Sequence, residues 1–301
     1  MKKIILLFIF SFFLGTQLSH GQAGQTGLSF LKLGAGARAL GMGEAYTAIA
    51  SDPSATYYNP AALSLSKTSQ VLLMHKEWIQ GATTEFIAAK TSTDHITLGI
   101  GVNATAISEI ELRTIPGPSQ GTFTARNASI SLSGAYELDS SFSFGATGKF
   151  LFEKILVDEA SGFGFDLGGI YQTPWDVRLG LSINNLGSVN ELRNEASKLP
   201  QMIRFGAACV SRIESIDGTL TTAADIVSVT GENKTHVLFG AELDYKHVFA
   251  LRAGYQTSYE SKNISAGVGF RYGLFQVDYA FVPFKYDLGS THTFSLGIDI
   301  P

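Results

Sequence analysis

The sequence is poor in charge and almost without cysteine. Lys, Arg, Asp and Glu make up 16% of its 301 residues, where a soluble domain usually carries nearer a quarter. Cys209 is the single cysteine, so no disulfide framework exists, and its strand-like surroundings predict a free, buried thiol. Basic runs are absent and the formal net charge is −4, which argues against nucleic-acid binding. Beyond the first twenty residues no run of eighteen apolar residues occurs, which excludes a transmembrane helix.

The usual marks of chemistry are missing too. His75, His95, His236, His247 and His292 form no i,i+4 pair and no Cys/His cluster, so no metal site is expected. Gly34, Gly36, Gly41 and Gly43 fit neither a dinucleotide fingerprint nor a phosphate loop, since the spacing is wrong and no Lys-Ser/Thr follows. Neither a G-x-S-x-G elbow nor another Ser/His/Asp motif is present. The expectation is a non-enzyme without cofactors.

What is abundant is glycine, at 32 residues, with 21 Phe and 11 Tyr. Lys2 and Lys3, the apolar run Ile4 to Leu14, and the small residues Ser19 and Gly21 read as a secretory signal over residues 1–21. Its removal would leave a chain starting near Gln22 with a balance of 20 − 26 = −6. From Ser69 onward short segments alternate with period two. Val237, Phe239, Ala241, Leu243 and Tyr245 alternate with Leu238, Gly240, Glu242 and Asp244, and Phe275, Val277, Tyr279 and Phe281 oppose Gln276, Asp278 and Ala280. One face is apolar with aromatic ends, the other carries Gly, Ser, Gln and single charges. That pattern belongs to membrane barrels, apolar outside and polar inside.

Fourteen such strands can be counted, from 69–78 to 290–299. Connections such as 92–94, 138–141, 173–176, 245–247 and 272–273 are short. Those at 109–121, 154–162 and 187–200 are long, the last with a helical-looking middle. The expected fold is an all-β, single 14-stranded antiparallel transmembrane barrel over 68–301. In the outer membrane, short turns mark the periplasmic side, which would put both mature termini there.

Residues 22–67 have no period-two pattern. Asp52-Pro53 is a helix-start signal, and the helix that follows must end near Asn59 because Pro60 disfavours helical geometry before it. This part is expected to fold into the lumen as a Gly-rich, partly helical hatch. Lys149, Arg178, Arg204, Arg252 and Arg271 would point inward, with Asp166, Asp225, Glu242, Asp244, Asp278 and Asp299, and charges of both signs in a narrow lumen should pair. The candidate hatch–wall or ligand network is Arg38, Glu44, Tyr46, Asp52, Asn59 and Pro60 with Arg204, Glu242, Asp244, Arg252, Arg271 and Asp278.

The run Ala39-Leu40-Gly41-Met42-Gly43-Glu44-Ala45-Tyr46-Thr47, then Ala50-Ser51-Asp52, then Tyr58-Asn59-Pro60-Ala61-Ala62-Leu63 resembles the start of FadL-like outer-membrane proteins, most closely the PorV/PorQ branch. The likeness implies a fourteen-stranded barrel with an N-terminal hatch and an outer-membrane lipid environment. PorV and PorQ-type members belong to the type IX protein secretion machinery of Bacteroidota, which implies other envelope proteins as partners and an accessory role. FadL-type members pass hydrophobic molecules. That alternative implies a hydrophobic ligand and an apolar pocket near Leu40, Met42 and Tyr46. The chain departs from the pattern at its end, Gly297-Ile298-Asp299-Ile300-Pro301, which lacks a terminal aromatic residue. It also lacks an external loop long enough for a cargo lid, which points to the PorQ type over PorV.

Overall fold

A computed structural model describes residues 26–301 except 193, 194 and 233; the expected secretory signal and the expected start at Gln22 lie outside the described residues. Fifteen strands form one antiparallel sheet. They are β1 (Ser69–Glu77), β2 (Ala82–Ser92), β3 (Ile96–Glu111), β4 (Thr122–Glu137), β5 (Phe142–Ile155), β6 (Asp158–Gln172), β7 (Val177–Leu192), β8 (Glu195–Lys198), β9 (Met202–Ile213), β10 (Gly218–Val229), β11 (Thr235–Tyr245), β12 (Phe249–Gln256), β13 (Ile264–Tyr272), β14 (Phe275–Pro283) and β15 (Ser290–Ile300). Each pairs with the next along the chain except that β7 pairs with both β8 and β9 while β8 pairs with β7 alone, and β1 pairs with β15 from Ser69 opposite Ile300 to Glu77 opposite His292. The ring is therefore a closed barrel of fourteen strands, with β8 a short addition to β7. Closure removes every free edge, so each ladder group finds a partner without water.

Burial is inverted relative to a soluble protein. Along β3, Ile96, Leu98, Ile100 and Val102 are exposed while Thr97, Gly99, Gly101 and Asn103 are buried. Phe144, Phe150, Phe163, Phe165, Phe205 and Phe239 are exposed on other strands. An apolar band of this kind fits hydrocarbon, not water. Aromatic pairs stand toward the strand ends, with Phe142 stacked on Tyr171 at 4.4 Å and Phe249 near Phe270 at 5.1 Å.

Connections alternate in length around the ring, so the barrel has a short-turn end and a long-loop end. Two of the expected long loops are different. At 154–162 the strands run on to Ile155 and from Asp158, leaving only 156–157 to turn, with Leu156 at φ 58°. At 187–200 the expected helix is a hairpin, with Leu192 opposite Glu195 and Glu191 opposite Ala196. The hairpin lets Val189 and Leu199 pack in one cluster with Leu28, Phe30, Leu31 and Leu151, and this burial overrides local helix preference. Cys209 is half-exposed rather than buried. It follows Met202, Arg204, Gly206 and Ala208 out of phase, on the outward face.

The N-terminal segment, residues 28–65, lies inside the ring. It contains a helix at Ala37–Gly41, a turn of helix at Ala55–Tyr58 and 3₁₀ turns at Ser29–Lys32 and Pro60–Leu65. Its first described residues sit at the long-loop end, where the Gly27 amide donates to the Lys198 carbonyl at 3.0 Å. The segment then passes through to Ser69 at the short-turn end, where Ile300 also lies. The described chain thus begins and finishes at opposite ends of the barrel, and the expected mature start at Gln22 lies outside the described residues.

Candidate functional site

The interior of the ring is where function would reside, and it is built from two kinds of contact. The N-terminal segment has little regular structure, so its backbone groups need partners from elsewhere. Wall side chains supply them. Ser295 Oγ accepts from the Ala37 amide at 2.9 Å, and Ser265 Oγ donates to the Gly41 carbonyl at 3.1 Å. Gln256 Nε2 donates to the Gly43 carbonyl at 2.9 Å, and Ser182 Oγ to the Tyr58 carbonyl at 2.9 Å. Asp225 Oδ2 accepts from the amides of Tyr46 and Thr47 at 3.0 and 2.9 Å. Two lysines act as clamps. Lys76 Nζ donates to the carbonyls of Leu33 and Gly34 at 2.6 and 3.0 Å. Lys90 Nζ donates to those of Ser51, Ser66 and Leu63 at 2.6, 2.8 and 3.2 Å.

The second kind is charge pairing. Arg38 reaches Glu242 through two parallel bonds, Nε at 2.9 Å and Nη2 at 2.7 Å. Glu242 also accepts from Arg252 Nε at 2.5 Å, and Arg252 Nη1 donates to Asp278 at 2.7 Å. This chain of two guanidinium and two carboxylate groups ties the helix Ala37–Gly41 to β11, β12 and β14. Forked arginine–carboxylate pairs fix orientation as well as proximity. A second pair, Lys149 with Asp166 at 2.6 Å, lies within the wall.

Four of the expected network residues converge here: Arg38, Glu242, Arg252 and Asp278. Asp52 joins from the side. Its carboxylate accepts from the Tyr46 hydroxyl at 2.5 Å and the Ser54 amide at 2.8 Å, and stands 3.9 Å from Arg38. It is therefore more than a helix cap. Glu44, at φ 60°, receives Lys262 at 3.2 Å and Gln256 at 3.3 Å.

Asn59 and Pro60 act through shape. Asn59 is extended (φ −156°, ψ 106°) between the two helical turns, as Pro60 requires. Its Oδ1 accepts from the Ala61 amide at 3.1 Å, and its Nδ2 donates to the Thr47 and Gly169 carbonyls at 2.9 and 3.2 Å. The wall is cut away to receive it: a Cβ at Gly168 would lie 2.0 Å from Asn59 Oδ1. On the opposite wall a Cβ at Gly254 would lie 2.1 Å from the Gly43 nitrogen, where Gly43 itself has φ 63°.

The remaining expected residues stand apart. Asp244 binds the 246–248 turn through the His247 amide at 2.9 Å. Arg271 is exposed and donates to the Gln276 amide oxygen at 2.7 Å. Arg204 is buried with its guanidinium 5.4 Å over the Tyr58 ring, its Nε and Nη1 without hydrogen-bond partners among the described residues. The strand register keeps these three off the Arg38 chain. Lys76 and Lys90 escaped sequence reasoning, because their strand neighbours, His75 and Glu77 for the first and Ala89 and Thr91 for the second, do not mark an outward apolar face.

No apolar pocket opens beside Leu40, Met42 and Tyr46 among the described residues. All three are buried, and Tyr46, Tyr57 and Tyr58 pack edge to face at 5.4 and 4.9 Å. Two polar cavities open at the short-turn end. One cavity of ≈ 230 Å³ is lined by Arg38, Asp52, Lys90, Arg271, Asp278 and Asp299, and another of ≈ 300 Å³ by Arg38, Arg178, Glu242, Asp244, Arg252 and Arg271.

Comparison with known proteins places the fold. The model of an uncharacterised protein family (UPF0164) matches residues 15–162. No curated protein matches the sequence. Among solved structures, the toluene transporter TbuX of Ralstonia pickettii is 14% identical, with 89% of this chain and 99% of that one covered at a TM-score of 0.63. The monoaromatic hydrocarbon channel CymD is 15% identical, covering 88% and 96% at 0.61. The toluene transporter TodX of Pseudomonas putida is 13% identical, covering 88% and 96% at 0.60. These neighbours are described as transporters and channels, and at such identities the likeness is one of fold: this chain is a closed fourteen-stranded antiparallel barrel.

Proposed function

We propose that the protein is an outer-membrane channel for hydrophobic small molecules, held closed by its N-terminal segment acting as a hatch. The observation that carries this reading is the match of nearly the whole chain to barrels that pass monoaromatic hydrocarbons. In this reading residues 22–67 are the hatch and 68–301 the wall, and the short-turn end faces the periplasm. The state described here is shut, since Leu40, Met42 and Tyr46 are packed without a passage. Transport then requires the hatch to yield locally, and the Arg38–Glu242–Arg252 chain is the contact to break.

The test is uptake. Expression in the outer membrane of a host lacking its own hydrophobic-compound channels should raise the entry of labelled toluene several-fold over an empty vector. Equal entry with and without the protein overturns the proposal.

The tight interior favours a second reading, an accessory subunit of an envelope protein machine of the type IX secretion kind. Gentle-detergent purification from the native membrane discriminates. Stoichiometric recovery of translocon proteins supports the subunit, and recovery of the barrel alone counts against it.

A further inference from the structure

The larger cavity at the short-turn end has a charge imbalance that the hatch contacts do not use. Its lining brings four guanidinium groups, Arg38, Arg178, Arg252 and Arg271, against three carboxylates, Glu242, Asp244 and Asp278. Arg38 and Arg252 are consumed by Glu242 and Asp278. Asp244 is turned to the 246–248 turn, taking the His247 amide at 2.9 Å and its ring nitrogen at 3.0 Å. Arg178 and Arg271 are left with neutral partners. Arg178 Nε donates to Gln172 Oε1 at 3.2 Å, and Arg271 donates to Gln276 Oε1 at 2.7 and 3.3 Å. Among the described residues neither has a carboxylate partner.

A guanidinium carries five donors, so most of those on Arg178 and several on Arg271 remain available. Fixed positive charge lining a partly enclosed mouth concentrates anions, and a guanidinium matches the paired oxygens of a carboxylate or phosphate. An unmatched pair of this kind is unexpected in a chain whose net charge is −4. At about 30 Å³ per water, the cavity has room for an anion of benzoate size, and Ile49 and Leu65 supply a small apolar patch on its lining.

We propose that this cavity is a binding site for a small oxyanion, a carboxylate or a phosphate, held by Arg178 and Arg271. The site shares its cavity with the Arg38 anchor but draws on two other arginines, and it does not rest on the transport reading, because binding can be measured on the purified barrel without flux.

The experiment is calorimetric titration of the folded, detergent-solubilised protein with benzoate and, separately, with inorganic phosphate. Benzyl alcohol serves as the neutral control. Saturable binding of at least one anion is expected, weakened tenfold or more in the Arg178→Gln/Arg271→Gln variant and less in the double lysine variant. Benzoate alone would mark an organic carboxylate site, and phosphate alone a phosphate site. Both arginines contact only side-chain amides, so the variants should keep the barrel; if the double variant does not fold, Arg271→Gln carries the comparison. Unchanged affinity in a folded variant overturns the proposal. So does the absence of saturable binding of both anions to the wild type, or benzyl alcohol binding with the same arginine dependence.

Discussion

The two ends of the barrel interior are closed by different physics. At the long-loop end, Leu28, Phe30 and Leu31 meet Leu151, Ala160, Val189 and Leu199 in an apolar cluster. At the short-turn end, Arg38, Glu242, Arg252 and Asp278 are linked by direct bonds of 2.5 to 2.9 Å beside open polar cavities. Apolar contact is non-directional and roughly proportional to buried area, so it seals a mouth but does not dictate one geometry. Charge-assisted bonds are directional and fail when one partner is lost. The long-loop end therefore behaves as a seal and the short-turn end as a latch. Between them the wall holds the segment backbone through Lys76, Lys90 and Asp225.

The largest effect should come from breaking the latch. Glu242→Gln takes from Arg38 its forked carboxylate and leaves Arg252 with Asp278 alone, and losing one member of a buried pair costs about 3–5 kcal/mol. The expected result is protease cleavage within 37–66 in the intact barrel at a rate far above wild type. If the variant is as resistant as wild type, the latch does not hold the segment.

Loosening the seal should cost less. Leu31→Ala removes a side chain that is 2% exposed, and such truncations cost about 2–5 kcal/mol depending on how well the site collapses. Under the rim hairpin we expect about 2 kcal/mol, read as earlier thermal release of residues 28–33 in hydrogen exchange, with exchange at 37–41 unchanged. Equal loosening of both stretches would mean that the two ends form one cooperative unit.

The smallest effect is electrostatic and belongs to the seal. Glu232, in the loop between β10 and β11, bonds His236 at 2.9 Å and Lys32 at 2.9 Å. The His236 hydrogen bond first, then Lys32, hold its carboxyl at about 2, below the ordinary 4.5. Since the folded value is depressed, this contribution is complete above about pH 4.5 and disappears as pH falls toward 2. Acidification across that window should loosen residues 28–33 slightly in the wild type and have no such increment in Glu232→Gln. An identical pH response in the two proteins would remove Glu232 from the seal.

Much of the wall was legible because one rule governs it. Period-two alternation in the β11 and β14 segments placed Glu242 and Asp278 inward, and the structure has both there within 2.9 Å of arginine donors. Asp52-Pro53 and Asn59-Pro60 placed the helical turn, which runs Ala55–Tyr58. Where tertiary contacts decided, the residues misled. The 187–200 stretch has helix-forming residues, yet it pairs as a hairpin because Val189 and Leu199 gain burial that way. Arg271 obeyed the inward rule, but its level near the short-turn rim left it in water beside Gln276. Alternation says which face a residue takes and nothing of its partner across the ring.

By itself the sequence determined the class of fold, the strand count and the inward or outward face of most side chains, because these follow from local periodicity and from the need to satisfy backbone groups in an apolar surround. Tertiary structure alone decided which charges meet, which arginines are left over, and that the segment is packed without a passage. Those outcomes depend on shear and register around a closed ring, where residues as distant as Arg38 and Glu242 come within 2.7 Å, and no local pattern encodes such distances.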